Sequence, residues 1–228
     1  THLNTGTAAS GEVLSWNGSD YDWITSGGAF SVIGTNNLAA IATLPNLTTG
    51  TGNFVSGVGS GNNLTTGSNN VALGNGAMDA ATTGGRNIAI GQDAMGLGVA
   101  TPATGDNIAI GYQSGYSLAT GLNNVAIGNQ ALYSQSNPLS SDIGEVAIGY
   151  QALFSSGPES AMNTAVGYGA GRSVTGARVT AVGYKAAYSA ASGAASGNEG
   201  LTAIGAQCAS ALTSSSETVV VGYGALGF

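Results

Sequence analysis

The sequence is poor in the side chains from which catalytic, metal and nucleic-acid sites are built. It has one cysteine, Cys208, and one histidine, His2, which lies in a small polar start. These two residues provide neither an intrachain disulfide nor the partners of a catalytic triad or a zinc site. The eleven acidic residues are scattered, so the sequence predicts no enzyme, no metal site and no cofactor.

Positive charge and long hydrophobic runs are also scarce. Four basic residues leave a net charge of -7, which argues against nucleic acid and anionic membranes as partners, since both require clustered Lys and Arg. No run approaches the ~18 apolar residues of a membrane span, so we expect no membrane insertion. Thr1 opens the chain without a basic leader segment, and we expect a fragment or a processed product.

A short motif, Asn124-Val125-Ala126-Ile127-Gly128, recurs throughout the chain. Nine clear copies end at Gly74, Gly91, Gly111, Gly128, Gly149, Gly167, Gly183, Gly205 and Gly222. Successive glycines are separated by 17, 20, 17, 21, 18, 16, 22 and 17 residues. Repetition at this period is typical of a solenoid.

Each copy alternates large and small apolar residues with the period of a β-strand. The sequence therefore predicts an all-β, repeat-built parallel β-roll or solenoid, with two short strands and two turns per coil. A second apolar pair such as Ala131-Leu132 marks the second strand of the coil. We expect the larger residues to form the roll core: Val71, Leu73, Ile88, Ile90, Ile108, Ile110, Val125, Ile127, Val146, Ile148, Val166, Val182, Ile204, Val219 and Val221.

The small alanine on the other strand face suggests that a second surface approaches closely. A two-strand coil encloses too thin a core to be stable as a single rod. Lateral association of identical chains would bury both strand faces.

Tyrosine follows the repeat glycine in five copies, at Tyr112, Tyr150, Tyr168, Tyr184 and Tyr223. In-register stacking should align these rings along one side as an interface or binding strip. Two interpretations remain open, packing between chains, which we favour, and contact with a carbohydrate or other receptor. Longer connections at 96–104, 133–144, 154–161 and 188–200 are further binding candidates, or simply tolerated insertions.

The beginning of the chain differs from the array. We divide the sequence into a flexible start (1–12), a Trp-containing β-hairpin turning at Asn17-Gly18 (13–29), degenerate repeats (30–67) and regular repeats (68–228). The degenerate copies are expected to end at Gly34 and Gly59.

Two local features that could indicate a functional site are assigned to the repeat structure instead. The dinucleotide-like run Gly222-Tyr223-Gly224-Ala225-Leu226-Gly227 has no room for the following helix and is assigned to the repeat. Cys208 occupies the slot that holds alanine in other copies and is expected to be a small buried residue.

The Asn-x-Val-Ala-Ile-Gly-x-x-Ala-Leu repeat resembles the head repeats of trimeric autotransporter adhesins and related trimeric phage fibres. The resemblance covers residues 68–228, and 30–67 more weakly. It implies a left-handed parallel β-roll, a homotrimer of this chain with two further copies, and binding to surfaces or receptors.

Irregular spacing and the absence of leader, stalk and anchor from these residues favour a tail fibre of a bacteriophage. The expected location is then the virion, and the expected role is structural and in host attachment. Expected partners are a host cell-surface receptor, with a carbohydrate as one candidate, and other virion proteins. The alternatives are an adhesin-like head on a bacterial cell surface and a purely structural virion spacer or decoration.

Overall fold

The structure, a computed structural model, describes residues 12–16, 21–25, 31–32, 38–39, 44–97, 105–118, 121–135, 144–157, 160–190, 200–212 and 217–226. These residues contain strands but no helix. The strands are β1 (Glu12–Trp16), β2 (Tyr21–Thr25), β3 (Ser31–Val32), β4 (Leu38–Ala39), β5 (Phe54–Ser56), β6 (Val71–Leu73), β7 (Ile88–Ile90), β8 (Ile108–Ile110), β9 (Val125–Ile127), β10 (Ser134–Gln135), β11 (Val146–Ile148), β12 (Ser155–Ser156), β13 (Thr164–Val166), β14 (Thr180–Val182), β15 (Thr202–Ile204) and β16 (Val219–Val221).

One twelve-stranded sheet organises the chain, and from β4 to β16 its neighbouring strands are parallel. The repeats pair in register, so that Ala109 lies beside Ala89 on one side and Ala126 on the other. Each repeat thus contributes one rung to a parallel β-solenoid, as the sequence predicts. The expected left-handedness and trimerism stay predictions.

Ahead of the array, β1 pairs antiparallel with β2, with Trp16 opposite Tyr21. The predicted Asn17-Gly18 turn and the flexible start up to residue 11 lie outside the described residues.

Both degenerate repeats were placed wrongly. β3 pairs antiparallel with β4, so Ser31-Val32 is not a rung, and the parallel array begins at β4. The next rung ends at Gly57, whose φ of 130° matches that of the other repeat glycines, whereas Gly59 has a φ of 69°. The predicted Gly34 lies outside the described residues.

The repeat glycine is required by both its conformation and its neighbours. Gly74 has a φ of 134°, a region that side chains strongly disfavour. A Cβ atom there would lie 2.5 Å from the carbonyl oxygen of Gly91 in the next rung. Substitution would therefore push adjacent rungs apart.

The other side of most coils is a chain of turns, which corrects the prediction of a second strand. Residues two and four positions after the repeat glycine have positive φ, as at Asp93 (54°) and Met95 (52°). Their amides still bond between coils, because Asp93 N donates to Asn75 O (2.8 Å) and Met95 N to Ser114 O (3.0 Å). Among the described residues, only the parallel pair β10–β12 forms a second sheet on this side.

The orientation of the strand faces is the reverse of the prediction. In the rungs from β6 to β15 the central alanine and the residue before the strand, asparagine in most of them, are buried, whereas the flanking large residues point outward. Ala109 is fully buried, while Ile110 is 36% exposed. All the residues assigned to the roll core are half-buried or exposed in the single chain: Val71, Leu73, Ile88, Ile90, Ile108, Ile110, Val125, Ile127, Val146, Ile148, Val166, Val182, Ile204, Val219 and Val221.

The thinness of the coil explains this inversion. The inner strand face lies against the turn side of the same coil, where residues such as Ala131 and Leu132 are fully buried. The inward strand position beneath them holds alanine in most rungs and nothing larger than valine, as at Val55, so the larger residues take the outer face.

A ladder of buried asparagines lines the inner edge of the strands: Asn53, Asn70, Asn87, Asn107, Asn124 and Asn163. Asn107 Oδ1 accepts hydrogen bonds from the backbone N (2.9 Å) and Nδ2 (3.0 Å) of Asn124. Asn107 Nδ2 in turn donates to Asn87 Oδ1 (3.1 Å) and Gly121 O (2.9 Å). The ladder thus satisfies polar groups that burial would otherwise leave costly.

The remaining core space is filled in two ways. In one coil the large residue Met78 precedes the small Ala81, whereas in another the small Gly115 precedes the large Leu118. Met78 and Leu118 are both fully buried. A Cβ on Gly115 would lie 2.7 Å from Leu118 Cδ1. Both side chains therefore enter the same volume, which these two coils fill from different positions. In the coil of Ala187 and Ala190 both positions hold a small buried residue. Cys208 is also fully buried, which confirms its assignment as a small core residue.

Candidate interaction surfaces

The outward residues of the strands form a continuous apolar strip, here called the outer strip. Its two columns are the first and third positions of the three-residue strands from β6 to β16 in the twelve-stranded sheet, and their side chains are Val, Ile, Leu or Thr. Several members are substantially exposed, namely Ile90, Ile110, Ile148, Ile204, Val219 and Val221. An apolar strip of this length on one chain is typical of a surface that another protein covers.

The tyrosine column follows the repeat glycine, just beyond the end of each strand. Tyr150 stacks on Tyr168 with ring centroids 4.8 Å apart, and Tyr168 on Tyr184 at 5.5 Å. Tyr112 and Tyr223 occupy the same repeat position, but Asn129 and Ala206 stand between them and the other tyrosines. The predicted five-residue strip is therefore a stack of three rings with one separate tyrosine on each side.

A second aromatic column, which was not predicted from the sequence, lies five residues after the repeat glycine. Tyr116 stacks on Tyr133 (5.1 Å) and Tyr133 on Phe154 (5.0 Å), with the rings within 7° of parallel. The stack continues with the guanidinium of Arg172, whose Cζ lies 4.7 Å from the Phe154 ring centroid and 5.6 Å from that of Tyr188. Counting residues from each glycine would have revealed this column.

A glutamine ladder runs two residues after the repeat glycine. Gln130 Nε2 donates to Gln113 Oε1 (3.1 Å), and Gln151 Nε2 donates to Gln130 Oε1 (2.9 Å). Arg172 Nε then donates to Gln151 Oε1 (3.0 Å). The ladder and the second aromatic column thus meet at Arg172.

Lys185 and Arg172 both lie near the ring of Tyr188. Its Nζ is 5.3 Å from the Tyr184 ring centroid and 5.2 Å from that of Tyr188. The backbone of Gly169 makes room for Tyr188, since a Cβ there would lie 3.0 Å from Tyr188 Cε2. Two half-buried cations are thereby held against aromatic rings, an arrangement that stabilises their charge.

These cations differ from Arg86, which forms an ion pair with Asp106. Arg86 Nε lies 2.6 Å from Asp106 Oδ1. The hydrogen bond from Arg86 lowers the pKa of the Asp106 carboxyl and raises that of the guanidinium. Among the carboxylates that the structure describes, none forms a salt bridge with Arg172 or Lys185.

Glu145 replaces asparagine in the buried ladder. Its side chain is fully buried, and Asn163 Nδ2 donates to its Oε1 at 3.3 Å, while hydrogen bonding with Ser160 and Asn163 favours the charged form. Desolvation raises the pKa of this carboxyl to about 8, because burial disfavours the charged form. Glu145 is therefore neutral at pH 7, like the amides around it.

Other kinds of site find no support in the described part of the chain. No group of three or more His, Cys, Asp or Glu is placed there to hold a metal ion, and no helix there is long and apolar enough to cross a membrane. Gly222 and Gly224 repeat the φ values of earlier rungs (130° and 61°), so the dinucleotide-like run is part of the solenoid as far as residue 226. Of the four candidate connections, the parts at 98–104, 136–143, 158–159 and 191–199 lie outside the described residues.

Comparisons with known proteins leave the function to be inferred from these surfaces. No protein-family model, no curated protein and no solved structure matches the chain.

Proposed function

We propose that this chain is a segment of a trimeric fibre of a tailed bacteriophage, with a structural role and a role in attachment to the host surface. The carrying observation is the outer strip, which runs along the parallel sheet and remains uncovered in the single chain. Three copies packed around a common axis would bury this strip in each of them. The repeat's resemblance to trimeric fibres and adhesin heads supports three as the number of chains.

Energetics favours covering the strip. Taking a large aliphatic side chain from full exposure to full burial contributes about 1.5–3 kcal/mol. The half-buried strip residues would gain a fraction of that each, at two outward positions in every regular rung. Charged residues are absent from these positions in β6 to β16. A free surface of this size and composition would promote aggregation, whereas a symmetric oligomer closes it.

The attachment role follows from rigidity and repetition. In-register rungs bonded on both sides of the coil hold the chain straight and position its connections. A trimer would present each connection three times, so that weak contacts with a surface combine into avidity. A spacer without a receptor would need the same trimeric rod but no binding at its connections.

The decisive experiment is the native mass measured by light scattering coupled to size exclusion. We expect three times the chain mass of 22.1 kDa. I110E and I148E place a charge in the strip and should shift the mass toward that of one chain, whereas S155E, an exposed residue on the turn side, should leave it unchanged. A wild-type monomer would reject the fibre. A trimer that fails to adsorb to bacteria of many surface types would favour the spacer.

A further inference from the structure

We propose that Arg172 and Lys185, framed by Phe154, Tyr188 and Gln151, form a binding site for a polysaccharide that carries carboxylate groups. This proposal rests on the fibre proposal for its biological setting and specifies the class of receptor. The site lies on the turn side of the coil, and its two cations are not members of the outer strip.

The first argument is unbalanced charge. The chain has a net charge of -7, yet these two cations are half-buried and have no salt bridge to any described carboxylate. Partial burial reduces the screening by salt that weakens fully exposed ion pairs. An external anion bound here would therefore gain more than it would at the exposed Arg86, whose charge Asp106 already balances.

The second argument is preorganisation. Arg172 is fixed by the rings of Phe154 and Tyr188 on its faces and by the bond from Nε to Gln151 Oε1. Among the described residues, the hydrogen bond of this guanidinium is made by Nε, which leaves the two terminal nitrogens to donate to a carboxylate in the planar fork that matches it. Little side-chain entropy remains to be lost on binding.

The third argument is the polar row that leads to the cations. Each of Gln113, Gln130 and Gln151 uses one of its two amide N–H donors at most within the ladder. The remaining amide donors follow one another at the rung spacing of about 4.8 Å. Such a row suits the hydroxyl groups of a polymer lying along the rod, with its carboxylate at Arg172 and Lys185.

Sodium polygalacturonate is a suitable probe, with neutral dextran and single-stranded poly(dT) as comparison polymers. We expect the full chain to bind polygalacturonate, and R172Q/K185Q to weaken this binding at least tenfold. K185Q should fold, because Gln151 and Gln207 occupy the same repeat position with similar φ (52° and 55°). R172Y provides a second variant, which continues the aromatic column without the cation. The matched control is R86Q, which should change the affinity less than twofold.

Several results would overturn the site. These are no binding of polygalacturonate, equal binding of dextran, tighter binding of poly(dT), or equal loss in R86Q, which would indicate diffuse electrostatics. Adsorption to bacteria with acidic capsules separates the two proposals. If wild type and R172Q/K185Q adsorb equally well, the anion site is rejected but the attachment role is kept. If the chain binds polygalacturonate but neither adsorbs to bacteria nor forms trimers, the site is kept and the fibre proposal is rejected.

Discussion

At the residue scale, the buried polar side chains make the fold specific. Each ladder asparagine serves two neighbouring rungs, so one substitution affects three coils. Val179 and Leu201 occupy the equivalent slot in later rungs and are buried, so an apolar side chain is accepted there. Asn163 lies beside Val179 without loss because its amide bonds Ser160, Gly176 and the Val179 backbone. A substitution should be costly where it leaves buried polar groups without such partners.

Replacement of Asn107 by alanine tests this cost. N107A removes the acceptor of the Asn124 amide and the donor to Gly121 O, which leaves buried polar groups without partners. At about 1–3 kcal/mol for each orphaned group, we expect a loss of about 2–5 kcal/mol in the free energy of unfolding. Urea denaturation measures it. The exposed Asn75 is the control, and N75A should change stability by under about 0.5 kcal/mol; equal effects would contradict the ladder's role.

Glu145 should make stability depend on pH. Its folded pKa of about 8 lies above the ordinary value of 4.5, so its stabilising contribution is complete below pH 4.5 and is lost as the pH rises to about 8. In that window the unfolded chain ionises while the folded chain does not, which costs about 1.4 kcal/mol per pH unit.

Denaturation of wild type and E145Q from pH 4 to 9 measures this dependence. The difference between their unfolding free energies should grow in favour of E145Q up to about pH 8 and then level off. E217Q, at an exposed glutamate, should follow wild type. A constant difference between wild type and E145Q would show that Glu145 is not a buried neutral acid.

At the element scale, the coil is the unit of packing, and its inner volume is filled from either of two positions. The strand rungs were predictable from sequence, because an in-register Val-Ala-Ile-Gly run identifies a strand and its turn. Which strand face is buried could not be predicted, since a period of two distinguishes the two faces without saying which of them points inward. Asn107 and Asn124 carried the missing signal, because a polar residue at the same repeat position marks a shared environment.

The two ways of filling the coil should be interchangeable. L118A leaves a cavity and should cost about 2–4 kcal/mol, and G115M should overpack against Leu118 by about 1–3 kcal/mol. The double variant G115M/L118A reproduces the pair Met78 and Ala81 and should recover most of the loss.

A double-mutant cycle by thermal and urea unfolding gives the coupling energy between the two positions. Additive losses would show that Gly115 and Leu118 do not share one volume.

At the scale of the whole molecule, the array behaves as a stack of equivalent rungs joined by connections of different length. The second aromatic column and the cation site depend on several rungs at once. For that reason they were visible in the sequence only after the rungs had been aligned on their glycines. The connections themselves are where repeat spacing varies, and no periodicity constrains them.

Removal of one whole rung should be tolerated. Deletion of residues 112–128 spans the 17 residues from one repeat glycine to the next and would place Asn107 beside Glu145 and Ala109 beside Ala147. We expect a cooperative unfolding transition within a few degrees of wild type and an unchanged number of chains. Deletion of 112–126, two residues out of phase, is the control and should lose the cooperative transition. Equal behaviour of both deletions would contradict a register fixed rung by rung.

The glutamine and asparagine ladders also give the rod an electrical direction. In each ladder the amide of one rung donates to the amide oxygen of the preceding rung, as Gln151 does to Gln130. The side-chain dipoles therefore add along the axis, with positive ends toward the beginning of the chain and negative ends toward its end. Arg172 lies at the negative end of the glutamine ladder, where a cation is stabilised as at the carboxyl end of a helix. The two ends of the rod are thus electrostatically unequal, even though its rungs are nearly identical.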